Sequence, residues 1–306
     1  MRANEYRLLV PQSGSPTPDI QDAFAAHPDL REICGPVLAA LPQAGLSNRV
    51  YRLETERGAF FLRLPRPETA GMVDRDDEAE NIRRAADLGV ALGPLFCNPR
   101  TGILLTRAVA TVSASPDTLA AHLGNILGRL HASRDAFQGE LDPDRVIDAQ
   151  KRTLAADVRV AADVALLDQV LLQLRPLERL EHDRIAVPSH GDPSPGNCLM
   201  APDRLWLIDW EYSAMAEPAW DLAYASLEHG FSNAQERAFL AAYRNSAGDE
   251  LRPSRRHLEI MKAKCDVVSA LWGLEQFRLG SNKADFLAFA QARRARALAT
   301  ARRITG

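Results

Sequence analysis

A chain of 306 residues can hold one large domain or two medium ones, with a real hydrophobic core. Hydrophobic residues make up 46% and charged residues 25%, the ordinary soluble mixture, and 37 basic against 40 acidic residues leave a net charge of −3, which offers no global electrostatic case for nucleic acid. No apolar run approaches the roughly 20 residues that span a bilayer, and Met1 to Val10, with Arg2, Glu5 and Arg7, lack a signal-peptide core, so a cytoplasmic protein is expected.

Residues 1–40 read as an N-terminal helical extension. A Pro/Ser/Gly-rich tract, Pro11 to Pro18, precedes a helical stretch in which Asp19 is a candidate cap for the turn carrying Ile20, Phe24 and Ala25. Residues 41–110 read as a small antiparallel sheet with one helix. Val50–Leu53 and Ala59–Leu64 are predicted strands, joined by a turn at Glu56-Arg57-Gly58. Asp76 to Leu88 is a predicted helix, with Ile82, Ala85, Ala86 and Leu88 on one side and Gly89 at its end. Gly102 to Thr106 is a further strand, and the boundary is expected near Ala108 to Pro116. Residues 111–306 read as mostly helical. Leu119, Leu123, Ile126, Leu127 and Leu130 repeat at helical spacing, as do Leu166, Val170, Leu171 and Leu174. Short strands lie between Val187 and Asp209, and the expected class is α+β. Cys34, Cys97, Cys198 and Cys265 are far apart, so zinc is not expected and buried free thiols are.

The chemistry concentrates in one stretch. His190-Gly191-Asp192-Pro193-Ser194-Pro195-Gly196-Asn197 pairs a carboxylate with an amide five residues on, and Asp209-Trp210-Glu211 follows a short apolar strand, Leu205 to Ile208. Phosphoryl transfer from ATP needs one carboxylate to orient an acceptor hydroxyl and take its proton. It also needs an amide oxygen and a second carboxylate to hold magnesium on the phosphates. Asp192 is the candidate base. Asn197 and Asp209 are the candidate Mg2+ ligands, oxygen donors that suit a hard cation. His190 is expected to brace the loop. The bland alternative is a turn-rich loop in which Asp and Asn merely cap, and the combined spacing argues against it.

This motif resembles the catalytic and metal loops of kinases, with His-Gly-Asp in place of His-Arg-Asp and Asp-Trp-Glu in place of Asp-Phe-Gly. It is most similar to the kinase-like small-molecule phosphotransferases: choline and ethanolamine kinases, thiamine kinase and aminoglycoside phosphotransferases. The resemblance runs from about Gly45 to Arg293. It implies a bilobal protein-kinase-like fold, with a small nucleotide-binding lobe, a larger helical lobe, and ATP in the cleft between them. Gly191 replaces the Arg that reads a phosphorylated activation loop, and Trp220 follows Asp209 by only eleven positions. Gly45-Leu46-Ser47-Asn48 resembles the phosphate-covering segment of choline and thiamine kinases, which implies nucleotide contacts for Ser47 and Asn48. Arg63 stands in the strand where protein kinases place a Lys and choline kinases commonly an Arg. A guanidinium can grip phosphate in a fork, although strand alternation also allows a plain surface position. Arg75-x-x-Glu78-x-x-Asn81 resembles the family's helix pattern and makes Glu78 the expected partner of Arg63, with Asp77 and Glu80 as rivals. The backbone from Thr106 to Ala108 is expected to meet the adenine edge.

Asp209-Trp210-Glu211-Tyr212-Ser213, Trp220-Asp221-Leu222-Ala223, Leu271-Trp272-Gly273-Leu274-x-Gln276 and Phe289-Ala290-Gln291-Ala292-Arg293 resemble segments of choline kinases. The resemblance assigns Glu211 and Tyr212 to the acceptor side and places Glu228 where those enzymes set an acid facing the ammonium. A quaternary ammonium has no N–H to donate, so aromatic faces and a carboxylate must recognise it. Tyr212, Trp272, Phe286 and Phe289 are the candidate faces. Trp272, Phe286 and Phe289 equally fit a helical-core stripe. Glu275 stands where many choline kinases have a second Trp, and Phe289 lacks the Tyr hydroxyl. The expected activity is ATP- and Mg2+-dependent phosphorylation of a small amine alcohol, choline or ethanolamine first. Thiamine or an aminoglycoside is the alternative acceptor, and a catalytically silent nucleotide-binding scaffold the alternative of another class. The sequence leaves monomer or homodimer open.

Overall fold

The computed structural model describes residues 17–43, 48–66, 73–180, 185–281 and 284–306. They form two compact units. One holds the described residues up to Ala79 and Gly93–Val109, and the other holds Glu80–Leu92 and Ala110–Gly306.

In the first unit, β1 (Val37–Gln43), β2 (Asn48–Thr55), β3 (Gly58–Pro65), β4 (Pro94–Asn98) and β5 (Ile103–Arg107) form one antiparallel sheet in the order β1-β2-β3-β5-β4. The expected hairpin is β2–β3, with Leu53 opposite Phe60 and Val50 opposite Arg63. β1 and β4 were not expected. Alanines and Pro42 in β1, and Pro94 in β4, weaken their strand signal, and both lie at sheet edges where proline is tolerated. Phe60, Leu62 and Leu64 alternate into a core with Leu53, Ile103 and Leu105. The helices α1 (Pro18–Ala26) and α2 (Pro28–Cys34) add Ile20, Phe24 and Leu30 to that same core, so residues 17–34 complete the sheet's packing rather than stand apart as an extension. Asp19 does not cap its helix. Thr17 is the N-cap, and Asp19 instead accepts from the Tyr51 hydroxyl (2.7 Å) and pairs with Arg49 (3.1 Å), tying helix to sheet.

The predicted helix is α3 (Arg75–Asp87), which starts in the first unit and ends in the second. After it, Val90 O accepts from Leu207 N (3.0 Å), and Arg129 donates to Leu88 O (2.6 Å). These bonds assign residues 80–92 to the second unit and redraw the continuous 41–110 lobe expected from the sequence.

The second unit contains α4 (Pro116–His131), α5 (Pro143–Leu154), α6 (Ala161–Glu178), α7 (Pro218–Glu228), α8 (Asn233–Ala247), α9 (Arg255–Arg278) and α10 (Phe286–Thr305). Leu167, Val170 and Leu174 of α6 pack with Ile260, Val267 and Leu271 of α9 and Ala290 and Ala297 of α10. Two short antiparallel ladders sit among the helices: β6 (Val187–Ser189) with β9 (Ala214–Ala216), and β7 (Cys198–Met200) with β8 (Leu205–Leu207). They fold the chemistry-bearing stretch back on itself, leaving residues 190–197 and 208–213 as its two loops. Cys34 and Cys265 are buried free thiols as expected, whereas Cys97 and Cys198 are only partly buried. No helix among the described residues is long and apolar enough to cross a membrane.

Helix α4 lies close against α8. A Cβ added at Gly124 would lie 2.2 Å from the Phe239 carbonyl oxygen, and one at Gly128 2.6 Å from Ser246 Cβ. Gly124→Ala gains about 1 kcal/mol of helix propensity but overpacks this contact at a cost of about 1–3 kcal/mol. A net fall in the melting temperature, followed by circular dichroism, is expected. An unchanged or higher Tm would mean that α8 yields without cost.

Candidate active site

β6 ends at Ser189, and the chain turns through Gly191 at φ +84°. Only glycine fits there, because a Cβ would lie 2.2 Å from the Tyr212 carbonyl oxygen. The loop before Asn197 and the loop after Asp209 therefore cross in direct contact. Asp221, in the first turn of α7 and fully buried, holds that crossing. Its Oδ2 accepts from His190 N (2.7 Å), its Oδ1 from Gly191 N (2.9 Å), and His131 Nε2 lies 3.2 Å from Oδ2. Trp220 Nε1 donates to the Gly191 carbonyl (2.8 Å). Burial pushes the Asp221 carboxyl up, but His131 and His190 outweigh it and keep it below its ordinary value.

His190 is also fully buried, and burial lowers its pKa, so the ring is neutral. Its Nε2 faces the Ile208 carbonyl (2.9 Å), while Nδ1 accepts from Asp192 N (3.2 Å), which assigns the proton to Nε2. The ring packs on Trp210 with centroids 4.6 Å apart. His190 thus ties the Asp192 loop to the strand end that precedes Asp209, the bracing expected of it.

Asn197 closes a short turn of 3-10 helix, Pro195–Asn197. Its Nδ2 donates to both the backbone oxygen and Oδ2 of Asp192, each at 3.0 Å. The amide oxygen is then the atom left to ligate a metal. Asp192 Oδ1 is buried and accepts no hydrogen bond, which suits a group waiting for an acceptor hydroxyl. Asp209 has φ +63°, the only described non-glycine residue with a positive φ. A strained backbone of this kind persists where surroundings impose it, often at functional sites. Burial, and next the neighbouring Asp209, push the Asp192 carboxyl up to about 7. Among the described residues, no group of three or more His, Cys, Asp and Glu could hold a metal alone. One amide oxygen and one carboxylate do fit magnesium, which takes its other ligands from phosphate and water.

The nucleotide candidates lie in the first unit. Arg63 is buried, not a surface strand residue. Its guanidinium grips Glu78 through both Nη atoms, Nη2 to Oε2 at 2.8 Å, and Nη2 also reaches Gly102 O at 3.4 Å. Arg75 Nη1 donates to the same Glu78 Oε2 (2.7 Å), and its Nη2 to Asn48 Oδ1 (3.4 Å). Burial pushes Glu78 up, yet the two guanidiniums outweigh it and leave it below its usual value. Glu80 pairs instead with Arg83 and Arg84, so Glu78 is the partner of Arg63. Ser47 lies outside the described residues. Thr106 pairs with both Phe61 and Pro94, and Ala108 N donates to Ala59 O (2.9 Å), so the Ala108 amide is spent inside the sheet rather than offered to a base.

The acceptor candidates divide. Glu211 is buried, and Tyr212 is 45% exposed beside the Gly191 crossing. Trp272 meets Phe286 and Phe289 edge-on, with centroids 5.4 and 5.9 Å apart. Phe286 is buried as a core residue, while Phe289 and Trp272 are half-buried. Glu228, at the end of α7, is not an open counter-charge. Arg293 grips it at 2.6 and 2.7 Å, and Arg296 lies at 3.7 Å. The Arg293 guanidinium also sits 4.8 Å from the Phe289 ring centroid, so the chain's own cation occupies both features.

Sequence reasoning quoted Asp221, Arg75 and Asn81 within motifs but gave them no role. Asn81 is buried, donates to Ser213 O (3.0 Å) and accepts from Gln138 N (2.8 Å), so it anchors the segment after Asp209. A lone Asp within Pro218-Ala219-Trp220-Asp221-Leu222-Ala223 was a usable signal for Asp221, because an unpaired carboxylate does not survive in so apolar a helix. His131 carried none.

The sequence profile of the phosphotransferase enzyme family matches residues 39–258. Protein LicA of Haemophilus influenzae is 26% identical over 255 residues, covering 79% of this chain and 74% of LicA. A choline/ethanolamine kinase family protein from Mesorhizobium loti superposes with a TM-score of 0.76 at 30% identity, covering 92% of this chain and 93% of that one. The choline kinase LicA from Streptococcus pneumoniae shares the fold, with a TM-score of 0.77 at 23% identity over 92% of this chain and 99% of its own. The bilobal kinase-like class expected from the motif is the observed one.

Folding raises the proton affinity of Asp192, so it takes up a proton between the unfolded value near 4 and the folded value of about 7. The contribution to stability is full below about pH 4 and is lost as pH rises through about 7. Asp192→Asn removes this loss. Without metal or nucleotide, its Tm advantage over the wild type should widen between about pH 5 and about pH 8 in differential scanning fluorimetry. A constant gap would show that Asp192 ionises without penalty.

Proposed function

We propose that this chain, which belongs to the phosphotransferase enzyme family, transfers the γ-phosphoryl group of ATP to the hydroxyl of a small cationic alcohol, choline or ethanolamine. The observation that carries the reading is the half-buried pair of Asp192 and Asn197, locked by two hydrogen bonds of 3.0 Å beside Asp209. These are the base and the two metal-holding groups that phosphoryl transfer requires, in one rigid crossing. Asp192 orients the acceptor hydroxyl and receives its proton. A pKa near neutrality suits that task. Asn197 and Asp209 would hold Mg2+, whose chemistry is to offset charge on the phosphates. Arg63, kept in one orientation by Glu78, is pre-organised to meet phosphate oxygens.

The amine-alcohol acceptor rests on the relatives, which are named as LicA and as choline/ethanolamine kinase family proteins. One observation favours a singly charged acceptor over an aminoglycoside. Polycations need several unspent carboxylates, and Glu228 is already neutralised by Arg293. A silent scaffold is the weaker reading, since the candidate base Asp192 and the candidate metal ligands Asn197 and Asp209 are all present.

Asp192→Ala should lower turnover by about two to four orders of magnitude while leaving the affinity for MgATP within a few-fold. Asp209→Asn should do the reverse and weaken MgATP binding by calorimetry, because asparagine tolerates a positive φ but brings no charge. Equal MgATP affinity in that variant and the wild type would remove Asp209 from the metal.

Arg63→Ala should raise the KM for ATP by roughly tenfold or more, the loss of a charge-assisted donor worth about 1.5–3 kcal/mol. Its Tm should fall as well, because Glu78 keeps only Arg75 of the two guanidiniums. Unchanged ATP kinetics would limit Arg63 to a structural role. Glu228→Gln is not a clean acceptor probe, since it leaves Arg293 without its counter-charge.

A further inference from the structure

On the phosphotransfer reading above, Asp192 must keep its carboxylate aimed at the acceptor hydroxyl. The backbone on either side of it therefore matters as much as the side chain. Helix α7 holds the side before it. Trp220 and Asp221, in the first turn, engage His190 and Gly191. The side after it begins with Pro193, which is buried and has no N–H. The Pro193 carbonyl is shielded from water and needs a donor from the protein.

That donor comes from the other end of the same helix. His229 is the C-cap residue of α7 and is half-buried. Gly230, at φ +60°, turns the chain there, and Phe231 N bonds back to Ser226 O (3.2 Å). His229 Nε2 lies 3.2 Å from Pro193 O, and a carbonyl only accepts, so the ring carries its proton on Nε2 and donates it. Burial lowers the His229 pKa and outweighs the Pro193 carbonyl and Glu228, so the ring is neutral and this is its one N–H. The Cys198 thiol is a second, weaker donor, with Sγ 3.9 Å from the same oxygen. The imidazole is backed as well. It stacks on Phe231 at 24° with centroids 5.3 Å apart, and Phe231 rests on the fully buried Phe239 of α8 at 5.4 Å. A ring that swung away from Pro193 would give up that support.

We infer that His229 is a positioning residue for phosphoryl transfer: by holding the Pro193 carbonyl it gives α7 a grip on both sides of Asp192 and keeps that carboxylate aimed at the acceptor hydroxyl. The role rests on the reading of Asp192 as the base. His229 acts through the backbone, so its loss should appear in turnover and not in binding.

The test compares wild type, His229→Phe, His229→Asn and His229→Gln in ADP release stimulated by choline or ethanolamine. Phe keeps the ring and its stack but has no donor. Asn keeps a donor that falls short of Pro193, and Gln carries its amide out to the reach of Nε2. In His229→Phe and His229→Asn, kcat should fall about fivefold to fiftyfold, with the KM for ATP and for the acceptor each within about twofold. His229→Gln should recover most of that loss. Hydrogen exchange at the Ser194 and Asn197 amides should quicken in His229→Phe while α4 keeps its protection. A residue that only packs would give the opposite order, with Phe tolerated and Gln worst. Melting curves verify that each variant is folded, and His229→Leu serves if His229→Phe does not fold. A folded Phe or Leu variant with wild-type kcat, or a Gln variant no faster than Phe, would overturn the assignment of His229 alone. A wild type that releases no extra ADP with choline or ethanolamine would instead sink the amine-alcohol reading, and this role with it.

Discussion

One buried carboxylate organises the second unit. Asp221 accepts from two consecutive backbone N–H groups, those of His190 and Gly191, and faces His131. Burying an ionised carboxylate is costly unless its lone pairs are satisfied by strong donors. Here the cost and the function coincide. The donors that satisfy the charge belong to the segment whose position matters, so the loop cannot shift without exposing Asp221 to a dry, unpaired state. Trp220 repeats the device from the neighbouring residue by holding the Gly191 carbonyl.

From that anchor the remaining groups follow. Gly191 lets the loop pass against Tyr212, His190 links it to Ile208, and Asn197 closes back on Asp192. The result sets carboxylates near one another and leaves Asp209 in a backbone region that side chains seldom adopt. Neither feature stabilises the fold. The first becomes favourable once positive charge is present, and the second persists because the surroundings impose it, as is common at sites selected for binding at the expense of stability.

What the sequence revealed was local. The β2–β3 hairpin, the extent of α3 and the spacing of Asp192, Asn197 and Asp209 depend on neighbours along the chain, so period and turn residues disclosed them. Strand alternation correctly separated Arg63 from Phe60 and Leu62, but it could not say whether solvent or Glu78 met the other face. The harder failures concern partners distant in sequence. His131 finds Asp221 ninety residues away, and Arg293 finds Glu228 sixty-five residues away, and no pattern announces either pairing. The second changes a functional reading, because an acid assigned to the acceptor is already matched. The N-terminal helices were misjudged for a related reason. Ile20 and Phe24 were read as part of an N-terminal helical extension, and only the sheet shows what they cover.

The stretch from Asp209 to Trp220 carries a further consequence. Trp210 is buried against His190, Ser213 is held by Asn81, Ala214–Ala216 pairs with β6, and α7 begins at Pro218. Most of the span is committed to the framework. In signalling kinases the corresponding stretch is slack enough to be rearranged by a covalent mark. Here the framework itself holds most of the stretch, so the crossing of the Asp192 loop with the segment after Asp209 forms together with the fold and does not wait for a later mark.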